Sequence, residues 1–202
     1  MKRTGILVLA MIIGVATGAL AADTYVVDAA HSSVGFTVKH MMVSNTRGSF
    51  TDVKGTVTAD PADLGKSGVQ VEIAVASITT GNNDRDNHLR SADFFDVAKY
   101  PTITFKSTKV ERKGDGYLAT GLLTMKGVSK EIALPFTVTG PVVDPWGKTL
   151  YGLEFDRVKL NRQDFGLTWN KVIETGGLVV GNEVTVELAV ELIKQKPPAA
   201  AK

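Results

Sequence analysis

The sequence predicts an all-β domain: an eight-stranded antiparallel barrel with one short helical excursion between strands. Three observations predict it. Apolar and polar residues alternate with period two in run after run, turn signals separate the runs at hairpin spacing, and glycines recur inside or beside the runs at Gly35, Gly48, Gly55, Gly121 and Gly152. Strand glycines suit the tight bends and bulges of barrel corners. A two-layer sandwich satisfies the first two observations equally well and stays open as the alternative; the glycines favour closure.

The elements follow in chain order. Residues 1–21 open with Lys2 and Arg3, run apolar from Ile6 to Leu20 and close on small residues. That is the layout of a secretory signal peptide, and the run falls short of the roughly 20 apolar residues that a membrane span needs. Its removal takes away two of the 23 Lys and Arg and none of the 21 Asp and Glu, so the net charge falls from +2 to 0. A neutral chain lacks the concentrated positive field of a nucleic-acid binder. With no cysteine, an exported chain has neither disulfide nor thiol nucleophile, and its core alone must hold it together.

Residues 22–193 are expected to form one barrel domain. Val34, Phe36 and Val38 alternate with Gly35, Thr37 and Lys39, and the beat recurs at Val69, Val71, Ile73 and Val75, then at Ile103 and Phe105. It returns at Ile132, Leu134, Phe136 and Val138, at Leu153 and Phe155, and at Val184, Val186, Leu188, Val190 and Leu192. The intervening positions are polar or water-tolerant, so each strand has one dry face. Turn signals fall at Asp60-Pro61 with Gly65 and Gly68, at Lys113 to Gly116, at Lys126-Gly127, at Asp144 to Gly147 and at Gly176-Gly177. The Pro-rich polar end, residues 194–202, is expected to be a disordered tail.

Between the Val69 and Ile103 runs, Asn83 to Phe95 reads as the helical excursion, and Pro101 ends it before the next strand. Phe94, Phe95 and Tyr100 supply bulky caps; Arg85 and Arg90, with Asp84, Asp86, Asp93 and Asp96, supply polar anchors. A lid over one barrel end is the natural reading.

Other motifs are weaker. The three histidines, His31, His40 and His88, lack the spacing of a zinc motif, so no metal is expected. Ser32, Ser33 and His31 carry no G-x-S-x-G elbow, and neighbouring side chains on a strand face opposite ways, which argues against a hydrolase. No phosphate-binding glycine loop is present. In Asn161-Arg162-Gln163-Asp164-Phe165-Gly166, Arg162 and Asp164 are expected to bond the backbone and each other, while Phe165 caps the barrel and Gly166 turns the chain.

Five stretches taken in order resemble the YceI-like family of secreted polyisoprenoid- or lipid-binding proteins. They are Tyr25 to His40, Gly48-Ser49-Phe50 leading to Gly55, His88 to Asp96 with Tyr100-Pro101, Gly121 to Val128, and Asn161 to Gly166. Together they span residues 24–193. The resemblance implies a lipocalin-like barrel whose interior tunnel holds a long isoprenoid or similar amphiphile, in the bacterial periplasm, with no enzyme activity and no cofactor beyond the bound lipid.

On that reading the tail-binding wall is Phe36, Val38, Val71, Ile73, Val75, Phe105, Leu123, Phe136, Leu153, Phe155, Val186 and Leu188. Three isoprene units buried there give about 12 kcal/mol gross at about 0.8 kcal/mol per methylene. Arg85, Asn87, His88 and Arg90 are expected either to meet a headgroup at the mouth or, as Arg90 with Asp93, to tie the excursion to the rim; Phe94 and Phe95 shield the tail. The expected protein is a carrier for an isoprenoid-type lipid, monomeric or homodimeric, touching a membrane or membrane protein only transiently. The alternatives are an interaction module for a membrane redox or stress-response partner that holds lipid structurally, and a lipid-modifying hydrolase.

Overall fold

A computed structural model describes residues 22–60, 64–174 and 176–196. The expected signal peptide, the turn proline Pro61 and the tail from 197 onward lie outside the described residues. In chain order the strands are β1 (Asp23–Val27), β2 (Ser33–His40), β3 (Ser44–Phe50), β4 (Val53–Ala59), β5 (Gly68–Ala74) and β6 (Ile78–Thr79), followed by the helix α1 (Asn83–Arg90). Then come β7 (Thr102–Lys113), β8 (Gly116–Met125), β9 (Val128–Val143), β10 (Thr149–Phe155), β11 (Val158–Asn161) and β12 (Val180–Lys194).

These twelve segments make one sheet that closes as an eight-stranded antiparallel barrel. The two counts agree because four of the eight strands are bent into two segments each: β1 with β2, β3 with β4, β5 with β6, and β10 with β11. The long β12 seals the ring against both halves of the first strand, placing Val27 opposite Leu192 and Phe36 opposite Val186. The sandwich alternative is thereby excluded.

Each bend has its own backbone partners. At 28–32 the Asp28 N–H still donates to Glu191 O at 2.8 Å, but the chain then turns, with Ala30 N–H donating to Asp28 Oδ1 at 3.0 Å and Glu191 N–H to Ser32 Oγ at 2.9 Å. At 75–77 a 3₁₀ turn replaces the ladder: Val75 N–H donates to Pro101 O at 2.9 Å and Ser77 Oγ to Ala74 O at 2.7 Å. The Ser77 hydroxyl also accepts Thr51 N–H at 3.1 Å, which staples this bend to the one between β3 and β4.

Two of the strand glycines are needed for close approach. A Cβ on Gly121 would sit 2.4 Å from Lys106 O, against the bulge in β7, and one on Gly48 would sit 2.3 Å from the Phe36 ring. Bulges of this kind bend a strand and sharpen its twist.

The turn 41–43, the turn 126–127, α1 and the segment 162–179 gather at one end of the barrel, the lid end. The start of β1 at Asp23, the end of β12 at Lys194 and the 113–116 and 144–148 turns lie at the other. The expected tail begins too early: Lys194 pairs with Tyr25 and its ammonium lies 2.6 Å from Asp23 Oδ2, while Gln195 N–H donates to Thr24 O at 2.8 Å. The N-terminal strand supplies the partners that keep these two residues in the sheet.

Candidate functional site

The inward residues line two stacked cavities that share Phe36, Phe50, Ile103, Met125, Leu160 and Val186. The lower cavity is walled entirely by apolar side chains and the backbone of Gly35. The upper one is equally apolar apart from Arg162. On β12 the two linings run from Val180 to Leu192, with a register shift between Val180 and Val184, so the regular lined stretch is Val184 to Leu192. Eight residues at about 3.3 Å each, tilted by about 40°, give a lined height of about 20 Å. Toward the termini the space is closed by a packed group around Tyr25, Leu153 and Leu192, with the Tyr25 and Tyr151 rings edge to face at 5.3 Å. Burial pushes the Tyr25 phenol pKa upward, aided by Tyr151 and Asp23, so it stays a neutral hydroxyl.

The lid is positioned by its own polar residues. Asn82 caps α1, its side chain accepting Arg85 N–H at 2.9 Å. The buried Asp86 accepts Thr80 N–H at 2.9 Å, and the Arg85 guanidinium donates to Thr80 Oγ1 at 2.7 Å and Thr80 O at 2.9 Å. Arg90 donates to Ala76 O at 2.9 Å, Ile78 O at 2.6 Å and Asn87 Oδ1 at 3.2 Å. From the opposite rim, Lys126 Nζ reaches Ala92 O at 3.2 Å. Below this frame Leu89, Phe94 and Phe95 face the upper cavity. His88 Nε2 lies 2.9 Å from Asp93 Oδ2, and its ring meets Phe94 and Trp169 edge-on at 5.0 and 4.8 Å. This aromatic trio latches the lid to the 162–179 segment.

Arg162 is the residue whose importance the sequence understated. It is only 6 % exposed and has no carboxylate within ion-pair distance among the described residues. Its guanidinium donates instead to Gly181 O at 2.9 Å, to Leu167 O, to Val180 O at 3.4 Å and to Asn182 Oδ1 at 3.3 Å. Burial lowers its pKa from the ordinary value. The expected bond to Asp164 is absent among the described residues, because the 3₁₀ turn Arg162–Phe165 carries the arginine inward while Asp164 stays exposed. Phe165 caps the upper cavity, and Gly166 turns the chain at φ 75°.

Eleven of the twelve expected tail-binding residues stand on a cavity wall: Val38 on the upper one, Phe36 and Val186 on both, and Val71, Ile73, Phe105, Leu123, Phe136, Leu153, Phe155 and Leu188 on the lower. Val75 does not. The 3₁₀ turn takes it off the strand's inner face into the packed core, where it is 1 % exposed. Arg85, Asn87, His88 and Arg90 line neither cavity, since strand-end carbonyls, each other and Asp93 occupy them. Unexpected wall residues include Phe50, Val53 and Val57 on β3 and β4. Their alternation was masked because Gly48 and Gly55 hold the inward positions between and beside them.

Ser32 Oγ is engaged by the Glu191 backbone, and His31 Nδ1 lies 3.1 Å from Asp28 Oδ2 and 3.8 Å from Glu191 Oε1. These three acid and imidazole groups are the one set among the described residues close enough to share a cation. As placed, they form an exposed ionic brace across the first bend. The hydrogen bond to Asp28 raises the His31 pKa and lowers that of Asp28.

Comparison with known proteins settles the family. The family model of the YceI-like domain matches residues 25–192. The chain belongs to the YceI-like family. It is 37% identical over 182 residues to Protein YceI of Salmonella newport, covering 89% of this chain and 92% of that one. Among solved structures, Burkholderia cenocepacia BcnA superimposes with a TM-score of 0.71 at 27% identity, covering 82% of this chain and 98% of the other. A polyisoprenoid-binding domain from Saccharophagus degradans shares the fold, with a TM-score of 0.64 at 18% identity and coverage of 85% and 98%. The YceI-like barrel thus matches its relatives over nearly their whole length.

Proposed function

We propose that this YceI-like protein is an exported, non-catalytic carrier that holds the hydrocarbon chain of an isoprenoid or similar amphiphile inside its barrel, working in the periplasm. The observation that carries the reading is the wall itself: two adjoining cavities lined by apolar side chains, whose single charged member already has its donors engaged. Such a space rewards hydrocarbon and offers little to a polar ligand. The barrel shared with a domain described as polyisoprenoid-binding supports the same assignment.

Size narrows the cargo. An extended polypeptide advances about 3.5 Å per three backbone bonds, so a four-carbon prenyl repeat advances about 4.7 Å. The regular stretch of about 20 Å therefore takes about four isoprene units, and the upper lining continues beyond it to Val180. At about 0.8 kcal/mol per methylene, twenty carbons give about 16 kcal/mol gross, which leaves useful affinity after association costs of at least about 4 kcal/mol.

Organic extraction of the purified protein followed by mass spectrometry tests the proposal. Near-stoichiometric prenyl or other long-chain lipid is expected. A protein that comes out empty and also rejects added geranylgeraniol and farnesol overturns it.

A further inference from the structure

The lid end carries an apolar surface that the barrel's packing does not use. The β2–β3 turn exposes Met41 at 41%, Met42 at 59% and Val43 at 83%, and the adjoining 171–179 hairpin exposes Val172 at 73%. The two tips are joined: Met41 N–H donates to Val179 O at 2.9 Å, and Val179 N–H to Lys171 O at 3.0 Å. Met42 lies over the second hairpin, its Cγ 3.5 Å from where a Cβ on Gly177 would stand, beside Ile173. The patch is therefore continuous across both tips.

Two further observations say what covers it. Met41 and Met42 hold φ of 47° and 62°, a left-handed conformation that glycine or asparagine adopts more readily. The turn geometry alone does not call for methionine; a flexible apolar side chain pointing outward is what methionine adds. Around the patch, Lys39, Arg47 and Lys171 are exposed and make no ion pair among the described residues, while the exposed acids on the adjoining hairpin and strand are Glu174 and Glu183, the second already paired with Lys159. Apolar tips within a cationic collar match an anionic bilayer, where side chains enter the acyl region and lysines meet phosphates. The tips also connect with the site: Val38 on β2 and Val180 and Val184 on β12 line the upper cavity a few residues from them.

We propose that Met41–Val43 and the adjoining hairpin arms, residues 171–174 and 176–179, form a membrane foot, which dips into an anionic leaflet and sets the upper cavity against the lipid it loads. This rests on the carrier reading and adds its partner, a lipid surface. The other exposed apolar tip, at Val142, Val143 and Trp146, sits at the end where the Tyr25 and Tyr151 group closes the barrel, away from the upper cavity.

The test uses processed protein purified after export and three variants, Met42→Asn with Val43→Asp, Lys171→Glu, and Trp146→Ser. None of these residues lines a cavity, and asparagine suits the left-handed backbone at 42. Each is checked by thermal melting, then floated with vesicles of phosphatidylcholine alone or with 30 mol % phosphatidylglycerol, and assayed for transfer of a fluorescent farnesyl probe from those vesicles. Expected for the wild type is flotation with anionic vesicles that weakens in 0.5 M salt. The Met42/Val43 double variant should lose at least tenfold in both flotation and transfer rate, and Lys171→Glu should lose severalfold on anionic vesicles only. Probe presented in detergent should load all four proteins to the same level.

Failure of the wild type to float, an unchanged double variant, or a loss that follows Trp146→Ser instead would overturn the foot. So would a wild-type dimer that the double variant splits and that ignores vesicles. If the wild type floats but no protein holds the probe in detergent, the carrier reading falls and the membrane contact stands.

Discussion

Val186→Trp puts the lipid assignment to its sharpest test. Val186 lines both cavities and lies across the sheet from Phe36, so an indole there closes the passage between them. Below it the wall on β12 runs only from Leu188 to Leu192, about 13 Å of strand and about 10 Å of height. The chain accommodated falls from about four isoprene units to about two. The ten excluded carbons represent about 8 kcal/mol of gross transfer free energy. If only a third of that survives in the measured difference, a twenty-carbon prenol still binds about 100-fold more weakly. Because the ring enters open space, the usual overpacking cost of about 1–3 kcal/mol is largely avoided, and the melt of the ligand-free variant should stay near that of the wild type. Competition of ten-, fifteen- and twenty-carbon prenols against a fluorescent probe reads the effect: wild-type affinity climbs through twenty carbons, and the variant levels off at ten. A variant that keeps the wild-type dependence on chain length refutes the stacked-cavity account.

Three other perturbations have definite outcomes. Arg162→Met strips Leu167 O, Gly181 O and Val180 O of a shared donor in a buried place, so it should cost about 3 kcal/mol and lower the melting temperature by about 6–12 °C; Lys at this position should not rescue it, lacking the planar fork. Phe94→Ala removes the central ring of the lid latch and should cost about 3 kcal/mol or more, with hydrogen exchange accelerating across 83–100 while β7 and β8 keep their protection. The exposed brace at His31 gives a small, signed pH effect: its raised pKa makes the stabilisation full below the ordinary value of 6.5 and lost as pH rises through the folded-state value. Asp28, held below 3.8, contributes fully above that ordinary value and loses its contribution as pH falls through the lowered folded-state pKa. The melting temperature should therefore slip slightly between pH 6 and 8 in the wild type, and His31→Gln should abolish that slope; a wild-type melt that rises over this interval contradicts the brace.

Sidedness was legible in the sequence, and hydrogen-bond partnership was not. Alternation marks which residues share a face, so the inward set on β2, β5, β7, β9, β10 and β12 could be read directly. The same rule placed Val75 in phase with Val69, Val71 and Ile73, yet its N–H leaves the ladder for Pro101, a choice no pattern of side chains encodes. That bend also explains the lid arginines. Breaking the strand at 75–77 leaves the carbonyls of Ala76, Ile78 and Thr80 without sheet partners, and Arg85 and Arg90 supply them. From composition alone, a cation at a barrel mouth looks the same whether it awaits a phosphate or a peptide oxygen. On β3 and β4, Gly48 and Gly55 sit at inward positions because Phe36 and Val27 fill the space beside them, which erased the alternation locally.

The first and last strands are neighbours, and β12 alone touches β1, β2, β10 and β11. No partial chain can seal the ring, so synthesis must finish before the native topology exists, and the slow, long-range search typical of high contact order follows. On the proposed export route, a polypeptide delivered unfolded to the far side of a membrane loses nothing by that delay, and without cysteines it would need no oxidant to complete its assembly there.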